Sequence, residues 1–155
     1  MYYQSGKNNT FDNTFSKIYG VCLTMAPAAA DTIVTHMQDL GRTPDDYDLI
    51  VTGDLGEIGS GLCLEITRKN GKNIQDKHKD CGLLIFDKEK QDVHAGGSGC
   101  GCAASVFTGY FMKLLEQRDI RRMLFLATGA LFSPTSQMQG ESIPGIAHAL
   151  SICID

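Results

Sequence analysis

The sequence contains no tryptophan, only four prolines and no excess of basic residues, since 14 Lys and Arg stand against 18 Asp and Glu. No run approaches the roughly 20 consecutive apolar residues of a membrane-spanning helix, and residues 1–10 lack the apolar segment of a secretory signal. Because the Lys and Arg residues are dispersed along an acidic chain, we expect no nucleic-acid partner. These absences predict a cytosolic protein.

The cysteine spacing excludes two designs that are common in small domains. The cysteines lie in scattered apolar segments, without the paired C-x-x-C spacing of zinc knuckles or the pattern of a disulfide framework. We therefore expect reduced and mostly buried thiols, and neither a metal nor a cofactor. The six residues are Cys22, Cys63, Cys81, Cys100, Cys102 and Cys153.

What the sequence does contain is the composition of one folded domain. Of its 155 residues, 43% are hydrophobic and 21% are charged, which is enough apolar material for a core. Residues 1–15 are polar and aperiodic, so we expect a disordered lead-in or a segment left from expression. Residues 16–155 are expected to form the folded domain.

Apolar periodicity predicts an α/β chain in the order β-α-β-α-β-α-β-β. The predicted strands are Lys17–Leu23, Tyr47–Thr52, Val93–Ala95, Met123–Gly129 and Gly145–Cys153, and the predicted helices run from about Ala26 to Leu40, Leu55 to Lys69 and Ala103 to Leu114. The last two strands have no helix between them and should pair antiparallel. The expected architecture is a mixed, mostly parallel sheet with helices packed on it.

Finer expectations concern the helices and one loop. Pro27 should lie in the first turn of the first helix, where proline is tolerated. Lys72–Lys79 should be a charged surface loop, and Cys81–Phe86 a short strand or a buried turn. The second helix should bury a face of Leu55, Ile58, Leu62 and Ile66, and the third helix a stripe of Ala103, Val106, Phe107, Tyr110, Phe111 and Leu114.

A glycine-rich turn, Gly96-Gly97-Ser98-Gly99, joins the third predicted strand to the third helix. Such a density of glycine indicates either a crowded backbone position or a binding site. Asp54 follows the second strand, at the sheet edge where α/β proteins collect their ligand sites. The candidate ligand-binding residues are Asp54, His94, Cys100 and Cys102.

Each of these candidates also has a structural explanation. Asp54 could cap the second helix, His94 could hydrogen-bond to neighbouring backbone, and Cys100 and Cys102 could be small residues in a crowded turn. In favour of a site, the start of the third helix would lower the pKa of a thiol and attract an anion. A lone C-x-C pair is a poor zinc signal, so the sequence assigns no metal ligand and no catalytic residue.

Five strings in the same order resemble the C-terminal half of the stage V sporulation protein AD family, which is thiolase-like. They are Ala26–Ile33, Asp46–Gly56, Asp80–Leu83, Gln91–Cys102 and Leu124–Thr135, within a span of roughly residues 17–153. The resemblance implies the half-repeat of the thiolase-like fold, with the first half of the family protein missing from this chain.

The resemblance also implies a ligand, partners and a location. The ligand is dipicolinic acid, bound for uptake into the developing spore together with the other proteins of a dipicolinate channel assembly. The expected location is the cytoplasm of the developing spore, peripheral to the spore inner membrane. The expected partner is the missing N-terminal half or a second copy in a homodimer, because the chain alone would expose an apolar patch.

Condensing enzymes of the thiolase-like superfamily use a first-half cysteine nucleophile and second-half His or Asn residues. In this sequence Gly53 replaces the His of their Asp-x-x-x-x-His string, and Cys100, a weak hydrogen-bond donor, replaces the Asn or His of the glycine-rich turn. Leu126 or Ala127 falls where thiolases have a further cysteine. We therefore expect a binding protein without enzyme activity. The alternatives are an acyl-CoA or acyl-ACP condensing enzyme that is active only with the missing half, and a purely structural subunit.

Overall fold

The computed structural model describes residues 2–4, 9–10, 21–131, 133–141 and 143–155. The strands within these ranges are β1 (Tyr2–Gln4), β2 (Asn9–Thr10), β3 (Leu49–Thr52), β4 (His78–Asp80), β5 (Arg122–Ala130) and β6 (Pro144–Cys153). The helices are α1 (Val21–Asp39), α2 (Gly56–Lys69), α3 (Cys81–Leu84), α4 (Cys102–Val106), α5 (Met112–Glu116) and α6 (Pro134–Met138). A π-helical segment, Phe107–Phe111, joins α4 to α5 without a break, and we call the three together the 102–116 helix. Short 3-10 turns span Pro44–Asp46 and Gln75–Lys77.

The strands form one mixed sheet in the order β1-β6-β5-β3-β4, with β2 also paired to β6. β3 lies parallel to both β4 and β5, whereas β6 runs antiparallel to β5 from Arg122 opposite Cys153 to Ala130 opposite Gly145. The predicted α/β class, with helices packed on a mixed and mostly parallel sheet, is confirmed, and so is the antiparallel closing pair. The thiolase-like relationship stays a prediction.

Two of the predicted strands are wrong in position. Residues 21–23 of the first one belong to α1, and residues 17–20 lie outside the described ranges. Val93–Ala95 is a turn with His94 at φ 47°, and β4 at His78–Asp80 takes the place in the sheet instead. The charged residues of β4 led to the prediction of a loop. Charged side chains are also common on edge strands, because they prevent pairing with other chains.

The two short N-terminal strands pair antiparallel with β6. Tyr2–Gln4 lies opposite His148–Leu150, and Asn9–Thr10 lies opposite Pro144–Gly145. For residues 1–15 the sequence predicted a disordered lead-in and no strand. The proposed boundary between residues 15 and 16 stays a prediction.

One face of the sheet is covered by α1, which buries alanines where most helices bury leucine. Ala26, Ala29 and Ala30 are fully buried, with Ile33 and Met37 further along the same face. They pack in one cluster with Leu124, Leu126, Ala147 and Ala149 of β5 and β6. α1 begins six residues before Pro27, so the proline lies inside the helix and not in its first turn as predicted.

The predicted apolar face of α2 is confirmed at Leu55 and, partly buried against the core, at Leu62 and Ile66, but it is wrong at Ile58. Leu55 is buried just before the helix, but Ile58 is 58% exposed. The buried residues of the helix itself are small or polar, namely Gly56, Gly59, Ser60, Cys63 and Thr67. The distance between packed helices depends on the side chains at their contact, so small residues here suit the alanine face of α1. Hydrophobicity alone therefore indicated part of the buried face and missed its small residues.

The other sheet face is covered in part by the 102–116 helix. Cys102, Val106, Phe111 and Leu115 form a second core cluster with residues of β3 and β5. The step from Val106 to Phe111 is five residues because it spans the π-helical segment, whose turns are wider than those of an α-helix. This shift leaves Tyr110, a predicted core residue, 48% exposed.

The remainder of this second face has no covering layer among the described residues. Ile146 and Leu150 of β6 are exposed there. Alternate residues of a strand point to opposite faces, and Ala147 and Ala149 point towards α1, so Ile146 and Leu150 lie on the side of the 102–116 helix. Within the described ranges, one half of the sheet is thus enclosed on both faces and the other half on only one.

A glycine in β6 sets the distance between α1 and the sheet, and its replacement should destabilise the fold. A Cβ atom at Gly145 would collide with the backbone carbonyl of Thr24 in α1. We expect Gly145→Ala to lower the free energy of unfolding by about 1–3 kcal/mol, the usual cost of overpacking. Denaturant unfolding measures this change.

Gly61→Ala is the matched control, because a Cβ there meets nothing within 4 Å on an exposed face of α2. Alanine favours a helix over glycine by about 0.8–1.0 kcal/mol, so this variant should be more stable than the parent. Equal stability of the two variants would contradict the close approach of α1 to β6.

Candidate functional site

A cleft of about 410 Å³ opens at the carboxyl end of the parallel strands. α/β proteins place their ligand sites at this edge of the sheet. The cleft lies between the end of β5, the chain that follows β3 and the glycine-rich turn. Its lining residues are Met25, Asp54, Ser98, Gly99, Cys100, Ala103, Ala127, Thr128, Gly129 and Ala130.

Asp54 is the buried polar centre of this cleft. One carboxylate oxygen, Oδ2, accepts hydrogen bonds from Ser98 Oγ at 2.8 Å and from the Gly99 backbone N–H at 3.0 Å. The other, Oδ1, accepts from Thr128 Oγ1 at 3.0 Å, and that hydroxyl accepts from the Asp54 backbone N–H at 3.1 Å. Asp54 therefore ties the segment after β3 to both the glycine-rich turn and β5.

The expected capping role of Asp54 belongs to another carboxylate. α2 has no side-chain cap from its own first residues. Instead Asp80, at the end of β4, accepts hydrogen bonds from the backbone N–H groups of Leu55 at 2.9 Å and Gly56 at 3.0 Å. It also accepts from Thr52 Oγ1 at 2.6 Å. Burial raises the pKa of Asp80 and the nearby charge of Asp54 adds to this rise, while the hydrogen bonds act in the opposite direction.

The glycine-rich turn has a crowded part and an open part. A Cβ at Gly96 would come within 2.6 Å of the Gly82 carbonyl oxygen, and one at Gly97 within 2.6 Å of the Ile85 side chain. Gly97 N–H also donates to the Gly82 carbonyl at 2.7 Å. By contrast, a Cβ at Gly99 or Gly101 would meet nothing within 4 Å. The first two glycines are needed for close packing, and Gly99 lies in the cleft wall with φ +139°.

The two cysteines of the turn lie in different environments. Cys100 is exposed and lines the cleft, whereas Cys102 is buried in the core beneath it. Burial raises the pKa of Cys102, and the charges of Asp54 and Asp80 raise it further. The sequence predicted a lowered thiol pKa at this helix start, and for Cys102 that prediction is wrong because desolvation and two carboxylates oppose the thiolate.

His94 is separate from the cleft lining. Its side chain is 89% exposed, and its closest ionic neighbour is Asp92, with Nδ1 and Oδ1 3.6 Å apart. The structure thus brings together Asp54 and Cys100 of the four candidates, places Cys102 beneath them and leaves His94 in solvent.

Sequence reasoning missed three residues of this network, Asp80, Ser98 and Thr128. Asp80 follows residues that were predicted to form a charged surface loop, so its burial was not expected. Thr128 was interpreted only as part of a strand. Ser98 between glycines was the one available signal, because a hydroxyl in such a turn is a common partner for a carboxylate.

A second polar pair supports the network from β4. Half-buried His78 lies beside Thr52, with Nε2 and Oγ1 2.9 Å apart. Since Thr52 gives its hydroxyl proton to Asp80, His78 must donate this hydrogen bond through Nε2–H. Burial lowers the pKa of His78 to about 4, and the charge of Lys79 contributes to this change.

The arrangement fits a small-molecule cleft better than a metal centre. In the part of the chain that the structure describes, no group of three or more His, Cys, Asp or Glu residues is placed to hold a metal ion. The described lining of the cleft includes no Lys, Arg or His. Nor does any described helix have the length and apolar character to cross a membrane.

Removing the Asp54 carboxylate should loosen the cleft. Asp54→Ala leaves Ser98, Gly99 and Thr128 without their shared acceptor, so we expect the free energy of unfolding to fall by about 1–3 kcal/mol. Asp92→Ala is the control, since its side chain is 89% exposed and should be neutral. Chemical denaturation of both variants tests this, and an unchanged midpoint for Asp54→Ala would contradict the network.

The pKa of His78 predicts a pH dependence of stability. Its folded pKa of about 4 lies below the ordinary value of 6.5, so the unfolded chain binds the extra proton first. Stability from this residue should be complete above pH 6.5 and decline as the pH falls towards 4. His78→Gln should flatten the slope of unfolding free energy against pH in this window, whereas exposed His94→Gln should leave it unchanged. Identical slopes for all three proteins would show that His78 titrates normally.

Comparison with known proteins identifies the family of this chain. The family model described as stage V sporulation protein AD matches residues 6–153, which include the whole cleft. Stage V sporulation protein AD of Bacillus subtilis strain 168 is 52% identical over 126 residues, which is 81% of this chain. The match covers 37% of that relative, so the chain spans little more than a third of its length. The chain belongs to the stage V sporulation protein AD family.

Proposed function

We propose that this chain is the non-enzymatic, thiolase-like C-terminal part of a sporulation protein that binds dipicolinic acid for uptake into the developing spore. The observation that carries the proposal is the cleft around Asp54, which lies within the family match and at the ligand edge of the sheet. A volume of about 410 Å³ suits a small organic ligand. Ala103, Ala127 and Ala130 provide apolar walls for an aromatic ring.

The charge of the cleft indicates what else such a ligand requires. Dipicolinic acid carries two carboxylates, and a buried anion needs cationic or N–H partners. The described lining offers the Ser98 and Thr128 hydroxyls, but both are already engaged with Asp54. We infer that the cationic groups come from the part of the family protein outside this chain, so that the site is complete only at the junction of the two parts.

The uncovered half of the sheet supports the same arrangement. Ile146 and Leu150 are exposed on the face that continues the cleft wall, because Ile146 pairs with Gly129 of the lining. Exposed apolar surface of this kind marks an interaction site. The missing N-terminal half, or a second copy of the chain, would cover it. We also propose that the protein assembles with the other proteins of a dipicolinate channel and lies at the periphery of the spore inner membrane.

The raised pKa values of two thiols support the absence of enzyme activity. Burial raises the pKa of Cys81 to about 12, and that of Cys102 is raised as well, so both stay protonated and are poor nucleophiles. Gly53, at the position of a catalytic His in condensing enzymes, has no side chain to contribute. The exposed thiol of Cys100 favours the alternative, a condensing enzyme that needs the missing half.

Calorimetric titration of dipicolinic acid tests the proposed ligand. We expect binding to the full-length family protein and at least tenfold weaker binding to the isolated chain, which lacks the cationic groups. In the full-length protein, Ala127→Leu should weaken binding at least tenfold by filling the cleft. Ala104→Leu is the matched control, because Ala104 is an exposed alanine that is not part of the lining.

Equal binding by the two variants would place the ligand elsewhere, and no binding to the full-length protein would favour a structural subunit. Incubation of the full-length protein with labelled acyl-CoA separates the enzymatic alternative, since a covalent acyl-enzyme would overturn the non-enzymatic assignment.

A further inference from the structure

A second polar cleft lies at the opposite end of the sheet, where β3 and β5 begin and β6 ends. Its volume is about 140 Å³, well below the roughly 300–1,000 Å³ of a drug-sized ligand site. Its lining residues are Arg42, Asp46, Tyr47, Arg122, Ser151 and Cys153. Any occupant is therefore small, or is the end of a larger molecule.

Arg42 is held in a fixed position in this cleft. Its Nη1 donates to Tyr47 OH at 2.6 Å and to Ser151 Oγ at 3.0 Å. Tyr47 is itself buried, and its hydroxyl is 2.5 Å from His36 Nε2 in α1. The backbone carbonyl of Arg42 also accepts from Lys72 Nζ at 3.3 Å. A guanidinium has five N–H donors, and the contacts of Arg42 within the described chain use only those of Nη1.

Arg122 brings a second guanidinium to the same cleft. No carboxylate of the described chain lies within 4.0 Å of its charged group, and no described side chain accepts a hydrogen bond from it. The charges of two nearby acids, Asp46 and Asp48, act on Arg122 from a longer distance, and one oxygen of each is engaged elsewhere. Asp48 Oδ2 accepts from the backbone N–H groups of Arg121 and Arg122, and Asp46 Oδ2 accepts from the backbone N–H and hydroxyl of Thr43.

The charge of the cleft is opposite in sign to that of the chain. Two arginines and one aspartate line it, which gives +2 − 1 = +1, whereas the whole chain carries −4. The Ser151 hydroxyl accepts from Arg42, so its own proton is available to a further acceptor. The cleft thus presents two guanidiniums and a hydroxyl donor to one small volume.

We propose that this cleft binds a small oxyanion, a phosphate or a single carboxylate group, between the guanidiniums of Arg42 and Arg122. Guanidinium groups match the planar and bidentate geometry of such oxyanions. Arg42 is held ready by Tyr47 and Ser151, so binding does not require it to be ordered first. This site is separate from the Asp54 cleft and does not depend on the proposed function.

The exposed thiol of Cys153 lines this cleft, so its alkylation rate reports on the charge of the cleft. The exposed thiol of Cys100 lies at the other end of the sheet and serves as the internal control. The experiment compares the rates at which anionic iodoacetate and neutral iodoacetamide alkylate each cysteine of the folded chain, measured by peptide mass spectrometry. We expect the iodoacetate-to-iodoacetamide rate ratio to be about 3- to 10-fold higher at Cys153 than at Cys100. Millimolar phosphate, acetate or dipicolinate should slow alkylation at Cys153 alone.

Arg122→Gln should remove both the raised iodoacetate-to-iodoacetamide ratio at Cys153 and the protection of Cys153 by anions. Lys113→Gln removes the same charge from the exposed side of α5 and should keep both effects. Protection by phosphate alone would identify a phosphate site, and protection by acetate and dipicolinate a carboxylate site. Equal ratios at the two cysteines would overturn the proposal. Protection by sodium chloride at matched ionic strength would overturn it too, since that effect is only screening.

Discussion

The hydrogen bonds of Asp54 are the interaction on which the ligand edge of this domain depends. A carboxylate that leaves water needs partners for its oxygens, and Asp54 finds them on the glycine-rich turn and on β5. Asp80 does the same for the start of α2 and for Thr52. Together the two carboxylates join the segment after β3 to the glycine-rich turn, to β5 and to the end of β4.

The two neighbouring carboxylates disfavour further negative charge nearby, and this effect raises the pKa values of groups around them. Burial and the charge of Asp54 raise the pKa of Asp80, and burial together with the charges of both carboxylates raises that of Cys102. The Cys102 thiol is consequently kept protonated. Negative charge beside this turn therefore disfavours a thiolate at Cys102 and requires cationic partners for any anionic ligand.

The sequence was sufficient for the elements that have a clear apolar pattern. β3 and β5 were predicted from continuous apolar runs, β6 from its alternating residue sizes and α1 from its apolar period. β4 could not be predicted, because an edge strand protected by charge has the composition of a loop. The most buried residues of α2 could not be predicted either, because they are small or polar residues and not large apolar ones. The predicted apolar stripe of the 102–116 helix is wrong at Tyr110, because the π-helical segment adds a residue to the turn.

The uncovered half of the sheet has a consequence for the Asp54 cleft. Gly129 lines the cleft and pairs with Ile146 on the open face, so whatever covers this face also determines how deep and how dry the cleft becomes. In the arrangement proposed above, ligand binding in the cleft and association with the covering surface are thermodynamically linked, so each changes the affinity of the other by the same factor. Where that coupling is favourable, the assembled protein holds its ligand more tightly than its separated parts.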